Sequence, residues 1–150
     1  MEYLIRKCER GDLPRVVELC RNHAEYEQES YNAEGKLALL DKALFDDNPQ
    51  LHCYLVEADA LIKGYFTYTY DFSTWDAQKF IYLDCLYLEP EIRSLGIGEK
   101  IIKMLKQIAM SNHCLNMQWQ TPNFNTRAVN FYKRVGGLGK EKVRFVMNIE

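Results

Sequence analysis

What this chain lacks narrows its function before any motif is read. It has no excess of basic charge: 19 Lys and Arg stand against 21 Asp and Glu, for a formal net charge of −2. Non-specific nucleic-acid binding needs a basic surface, so that class is set aside. No apolar run reaches the roughly 18 residues that a membrane span requires, and residues 1–9 are charged and lack the apolar core of a signal peptide. The five cysteines, Cys8, Cys20, Cys53, Cys85 and Cys114, are odd in number and widely spaced, with no Cys-x-x-Cys pair. A disulfide framework or a zinc site is therefore not expected, and a reducing compartment, the cytoplasm, is. His23, His52 and His113 are scattered without metal-ligand spacing and read as solvated or core side chains. Neither a metal, a nucleic-acid partner nor a membrane partner is expected. There is no internal repeat, low-complexity tract or linker either, so residues 1–150 are expected to form a single domain with a substantial core.

The elements follow from periodicity. Residues 3–7 are a short strand candidate. Asp12 is placed to cap a helix over 13–26, with Pro14 in the first turn and Leu13, Val16, Val17, Cys20 and Ala24 at helical spacing. A second helix is predicted over 34–45, with Leu37, Leu40 and Leu44 on one face, stopped by Asp47-Asn48-Pro49. Strands are predicted over 52–57, 62–71 and 80–88, the first two joined by a turn at Ala58-Asp59-Ala60, with Trp75 in the loop over 72–78. A helix follows to Ser111, with Ile97, Ile101, Met104, Leu105 and Ile108 forming a buried stripe and Lys100, Lys103 and Lys106 facing outward. A strand over 115–120, a short helix over 126–135 stopped by Gly136-Gly137, and a final strand over 143–149 complete the chain. This order implies an α/β fold with a central mixed sheet and helices packed on its faces.

One stretch organises the rest. Leu86-Tyr87-Leu88 runs into Glu89-Pro90-Glu91-Ile92 and then Arg93-Ser94-Leu95-Gly96-Ile97-Gly98, out of which a helix opens. A helix start leaves backbone N–H groups unpaired at the positive end of its macrodipole, and glycine there lets a ligand reach the backbone. The arrangement suits a pyrophosphate. A dinucleotide fold is disfavoured because the loop comes late, after several strands, and nucleotide phosphoryl transfer because no Gly-Lys-Ser/Thr ending is present.

The element order, the Arg93–Gly98 loop, Asn125 and Phe131-Tyr132-Lys133 together resemble the GCN5-related N-acetyltransferases (GNAT) over essentially the whole chain. Within that superfamily the chain is most similar to the diamine (spermidine/spermine) and thialysine acetyltransferases, through Ala24-Glu25-Tyr26-Glu27, His52-Cys53, the segment from Tyr70-Asp71 to Trp75, Tyr82-Leu83-Asp84 and the run from Asn130 to Gly136. The resemblance implies an acetyl-CoA-dependent N-acetyltransferase, a homodimer, acting on a primary amine of a small molecule. It implies that backbone N–H groups of Arg93, Ser94, Leu95, Gly96, Ile97 and Gly98 hold the pyrophosphate of acetyl-CoA. Leu86, Tyr87 and Leu88 would pair with its pantetheine arm, and this strand and 115–120 would splay apart to admit the thioester. Asn125, Tyr132 and Lys133 are assigned to the cofactor side, and Glu27, Trp75 and Asp84 to the amine side.

The chemistry sets its own requirements. A primary amine near neutral pH is mostly protonated and must lose a proton before it can attack a thioester. The departing thiolate must gain one, and a phenol can supply it. Tyr132 matches the acid and Asp84 the base, Asp84 standing where the family usually has the longer Glu. Each has a plainer alternative. Tyr132 could be a core aromatic, Asp84 could hold a structural hydrogen bond inside an apolar strand, and Glu27 could belong to a solvated acidic face with Glu25 and Glu29. Asn125 could cap its helix as well as touch the cofactor. Cys85, beside Asp84, stands where diamine-acetylating relatives often place a second acid, which weakens a polyamine substrate. Adjacent strand residues point to opposite faces and direct transfer needs no acyl-enzyme, so Cys85 is not expected to act as a nucleophile. A non-catalytic acyl-CoA-binding sensor is the alternative from another class.

Overall fold

Strands apolar at successive positions fit a sheet buried on both faces, and this is what the first 120 residues build. The computed structural model describes residues 1–150, which form two compact units, 1–120 and 121–150, treated in turn. In the first unit, β1 (Tyr3–Lys7), β2 (His52–Ala58), β3 (Leu61–Ser73), β4 (Gln78–Leu88) and β5 (Met117–Gln118) lie in sequence order across one five-stranded sheet. The first three pairings are antiparallel and β4–β5 is parallel, so the sheet is mixed, as expected. Asp59 and Ala60 adopt φ of 51° and 65° between β2 and β3, the backbone of a tight hairpin turn.

Helix α1 (Leu13–Tyr26) turns Leu13, Val16 and Leu19 onto a sheet face made of Cys53, Leu55, Tyr65 and Tyr87. Leu40 and Leu44 of α2 (Lys36–Phe45) pack against the same cluster, whereas Leu37 stays 43% exposed. The opposite face carries Val56, Phe66, Tyr68, Ile81 and Leu83, all buried. Between β4 and β5, α3 (Ile97–Ser111) makes the crossover that a parallel pair needs. It buries Ile97, Ile101, Ile102, Leu105 and Ala109, while Lys100, Lys103 and Lys106 face solvent. Met104 and Ile108, placed in the stripe from spacing, are only half-buried.

Asp12 does not cap α1 with its side chain. Its carboxylate instead accepts from both terminal nitrogens of Arg6, at 2.8 and 3.0 Å, and from the Glu9 N–H at 2.8 Å. Arg6 also donates to Glu57, so one guanidinium ties β1, β2 and the approach to α1 together, and it holds the Asp12 carboxyl below its usual range.

The second unit holds α4 (Thr126–Arg134). Asn125 caps it, its Oδ1 accepting from the Ala128 N–H at 3.2 Å. Gly136, at φ 102°, closes it: the Gly136 N–H donates to the Lys133 carbonyl and the Gly137 N–H to the Tyr132 carbonyl. Residues 137–150 carry neither helix nor strand, so the strand expected over 143–149 is not formed. Alternating apolar side chains alone do not make a strand; a hydrogen-bonded neighbour does. Val143, Phe145, Val146, Met147 and Ile149 are all more than three-quarters exposed.

Candidate functional site

β4 changes character halfway along. Ile81 and Tyr82 pair with Met117 and Gln118 of β5 on one side and with Tyr70 and Thr69 of β3 on the other. The strand predicted over 115–120 is thus reduced to a two-residue ladder, although its approach is bonded too: the Leu115 N–H donates to the Lys79 carbonyl, and the Ile81 N–H to that of Asn116. From Leu83 to Leu88 the strand pairs with β3 alone, and β5 has ended. This stretch presents a sheet edge to any extended ligand, and it contains Leu86, Tyr87 and Leu88.

At the start of that open half sits a bulge. Thr67 pairs with Cys85 and Tyr68 with Leu83, which leaves Asp84 without an opposite residue. The sequence places Asp84 inside an apolar strand in need of a partner; the bulge instead turns it out to solvent. The bulge also cancels strict alternation at this point. Cys85 Sγ lies 3.7 Å from Asp84 Oδ2, so the two side chains are neighbours and do not stand on opposite faces. Burial, with the Asp84 charge second, pushes the Cys85 thiol up to about 12. It is held as the neutral thiol, a poor nucleophile.

The open half ends in the loop. The Glu89 N–H donates to the Lys63 carbonyl at 2.8 Å, and Arg15 of α1 grips both the Ile62 carbonyl and the Glu89 carboxylate, the latter at 2.6 Å. Ile92, 1% exposed, plugs the turn over Pro90–Ile92 into the core. Beyond it Ser94 and Gly96 take φ of 64° and 80°, and Gly96 is the residue before the first turn of α3. Left-handed backbone at alternate positions turns successive N–H groups to one side, a common way of making an anion cradle. No heavy atom lies within 4 Å of where a Cβ on Gly96 would stand, so the approach is clear. The first-turn N–H groups of Ile97, Gly98 and Glu99 have no intrahelical acceptor, which fits the pyrophosphate expected at Ile97 and Gly98. Arg93 is used differently from a free phosphate ligand. Its Nε donates to the Leu88 carbonyl at 2.7 Å and its guanidinium lies 4.4 Å from the Tyr26 ring centroid and 5.5 Å from that of Tyr87.

On the amine side, Glu27 is the residue that ends α1, and its Oε2 lies 2.7 Å from His23 Nε2. The other ring nitrogen of His23 is 2.9 Å from the Tyr65 hydroxyl. Glu27 is therefore not part of a merely solvated acidic face; it is held. Metal-ligand spacing says nothing of His23; its legible signal in the sequence is the four-residue spacing to Glu27 on one helix face. Trp75 stands at the tip of the β3–β4 hairpin, fully exposed. In the second unit, Asn125 caps α4, Tyr132 is half-buried with its ring 5.2 Å from that of Phe131, and Lys133 is exposed.

An open strand edge, a bulge with an exposed acid and a left-handed loop opening a helix describe a site for an extended, phosphate-bearing ligand. The description "Acetyltransferase (GNAT) family" matches residues 1–137. The chain belongs to the GNAT acetyltransferase family. It is 33% identical over 141 residues to a thialysine N-epsilon-acetyltransferase of Sus scrofa, covering 89% of this chain and 82% of the relative. It is 30% identical to the spermidine/spermine N(1)-acetyltransferase-like protein 1 of Homo sapiens, over 92% of this chain but 21% of that much longer protein. Among solved structures, the aminoglycoside N-acetyltransferase AAC(6')-Iy in complex with CoA superposes with a TM-score of 0.80 at 19% identity, covering 98% of this chain and 95% of that one. An aminoglycoside acetyltransferase from a soil metagenome in complex with trehalose reaches 0.82 at 17% identity, covering 99% and 97%. These structural likenesses speak for the GNAT fold. This GNAT protein is an acetyltransferase, and enzymes of the family use acetyl-CoA. No helix of the protein is long and apolar enough to cross a membrane.

Proposed function

We propose that this GNAT enzyme transfers the acetyl group of acetyl-CoA to the side-chain amine of a lysine-like amino acid, by direct attack with both substrates bound. The observation that carries the reading is the exposed Asp84 carboxylate at the bulge where β4 loses its second neighbour. An acceptor must reach the thioester with its amine free of one proton, and a solvent-accessible carboxylate at that edge can take the proton directly or through water. Backbone donors along the open half of β4 suit the oxygen that gains charge as the amine attacks. The resemblance gives the leaving thiolate its proton from Tyr132, with residues 1–150 working as one domain. Asn125 and Lys133 remain on the cofactor side of this proposal, and Trp75 on the amine side.

The choice of a lysine-like acceptor over a polyamine rests on two supports. Relatives in pig, cow and mouse, 31–33% identical, are thialysine acetyltransferases by name. Cys85, moreover, is a half-buried neutral thiol where a polyamine site would profit from a second charge. The resemblance also favours a homodimer in the cytoplasm.

An acceptor screen reading free CoA thiol across lysine-like amino acids, polyamines, aminoglycosides and peptide N-termini tests the class. Release that is fastest with the lysine-like amines is the expected result; release with none of the amines refutes the proposal. Tyr132→Phe is expected to lower turnover about 100-fold or more while acetyl-CoA still binds, the range of a lost general acid. An unchanged rate removes Tyr132 from that role.

A further inference from the structure

An acid at the C-terminal end of a helix is misplaced electrostatically, because the macrodipole puts negative charge there. Glu27 occupies that position on α1, and the chain leaves the helix immediately after it, Gln28 taking φ of 60°. A glutamate on a terminal turn, with three side-chain torsions, would ordinarily sweep through solvent. Here it does not, and the reason is one turn back.

His23 is packed against two rings. Its ring stacks on Tyr87 of β4 with centroids 5.2 Å apart and planes 22° from parallel, and meets Tyr65 of β3 edge-on at 5.8 Å. Its side chain is 12% exposed against 31% for Glu27. The hydrogen-bond sense follows from the Glu27 carboxylate, which can only accept, so Nε2 carries the hydrogen and Nδ1 of the neutral ring accepts. Tyr65 is 1% exposed, and burial drives its phenol far above the ordinary range, so the hydroxyl keeps its proton. That O–H can donate to His23 Nδ1 at 2.9 Å. On its other side the ring donates from Nε2 to Glu27 Oε2 at 2.7 Å. The order Tyr65 to His23 to Glu27 runs from the core outward, and its last link is charge-assisted.

The same ring pile reaches the loop. Tyr87, which carries His23 on its face, lies in the open half of β4 and also receives the Arg93 guanidinium. His23 therefore ties the carboxylate at the end of α1 to the strand on which the reaction is proposed to run.

We propose that His23 is a positioning residue for the acceptor: acting through Glu27, it fixes that carboxylate in the one orientation in which it binds a cationic group of the amine substrate. The proposal rests on the functional reading above, in which Glu27 serves the amine side. For a lysine-like acceptor the natural partner is the α-ammonium group, while the side-chain amine goes to the thioester.

The test is a double-mutant cycle of His23→Leu and Glu27→Gln, with His23→Gln as the variant that keeps a donor for the carboxylate. Kinetics are taken with the fastest acceptor from the screen. His23→Leu is expected to raise the acceptor KM about tenfold, the effect of losing one charge-assisted hydrogen bond, with kcat and the acetyl-CoA KM changed less than about twofold. His23→Gln is expected to recover most of the loss. In the Glu27→Gln background, replacing His23 is expected to add less than about twofold, because the two act as one unit. Imidazole nitrogen NMR of the wild type is expected to show His23 with hydrogen on Nε2. Additive KM effects, an equal rise in the acetyl-CoA KM, or an Nδ1–H ring overturn the proposal while leaving the enzyme an amine acetyltransferase. If the wild type acetylates none of the amines, the functional reading itself has failed and the proposal falls with it.

Discussion

The two halves of β4 use the same strand for opposite ends. In the first half Ile81 and Tyr82 have neighbours on both sides, and Ile81 is fully buried. In the second half, Leu83 to Leu88, one side is unpaired, a bulge interrupts the ladder, and the strand runs out into a loop with left-handed backbone at Ser94 and Gly96. A sheet edge left open is ordinarily a hazard, since it invites pairing with another chain. Here the edge is where the proposed substrate, with its extended arm, would be bound by backbone groups. The first half supplies the rigidity that lets the second stay open, and the two should respond differently to substitution.

The largest effect is expected in the closed half. Ile81→Ala removes a fully buried side chain between β3 and β5. It is expected to cost about 2–5 kcal/mol of folding stability, a large share of the roughly 5–15 kcal/mol that a domain has. Denaturant unfolding measures it, and Ile81→Val, expected to cost about 0.5–1.5 kcal/mol, keeps the comparison readable if the alanine variant does not fold. The affinity for acetyl-CoA of the folded variant, by calorimetry, is expected to change less than about twofold. A marked loss of affinity would mean the closed half takes part in binding.

The next effect belongs to the open half. Gly64 of β3 lies so close to β4 that a Cβ there would stand 2.7 Å from Leu88 Cδ2 and 2.9 Å from the Tyr87 carbonyl oxygen. The leucine methyl can rotate away; the backbone oxygen cannot without moving the strand. Gly64→Ala is expected to cost about 1–3 kcal/mol and, unlike Ile81→Ala, to weaken acetyl-CoA binding several-fold, because it displaces the edge itself. Equal binding by variant and wild type would show that the position of Tyr87 and Leu88 is not critical to the cofactor.

This contrast also separates what could be read in the sequence from what could not. Local patterns carried through: α1 over 13–26, the turn at Asp59, the glycine before α3 and the Asn125 cap all follow from spacing and from residues whose backbone preferences are strong. The loop was legible because Gly96 requires a positive φ that few other residues accept. Long-range pairing was not. Nothing in the run Leu83-Asp84-Cys85 announces a bulge, since an extra residue is defined by the partner strand, here Thr67 and Tyr68. The alternation rule therefore put Asp84 and Cys85 on opposite faces when they are neighbours. The same blindness produced a strand at 143–149 from alternation alone and overlooked the link from His23 to Tyr65, residues 42 positions apart.

The smallest effect tests the boundary between the halves. At the point where β5 ends, Gln120 Nε2 donates to the Tyr82 hydroxyl at 2.7 Å, an exposed bond that continues the junction by side chains after the backbone ladder has stopped. Because it is exposed, water replaces it at little cost, and Tyr82→Phe is expected to lower stability by only about 0.5–1 kcal/mol, a Tm shift of a few degrees. Its informative readout is binding. If the opening is set by the end of the backbone ladder, removing this bond leaves the acetyl-CoA Kd within about twofold of wild type. If the bond instead limits how far the strands part, the variant binds acetyl-CoA more tightly, since the opening no longer has to be made against it. The first outcome is expected: Ile81 and Tyr82 keep both neighbours without that hydroxyl, and Leu83 onward has no second neighbour with it.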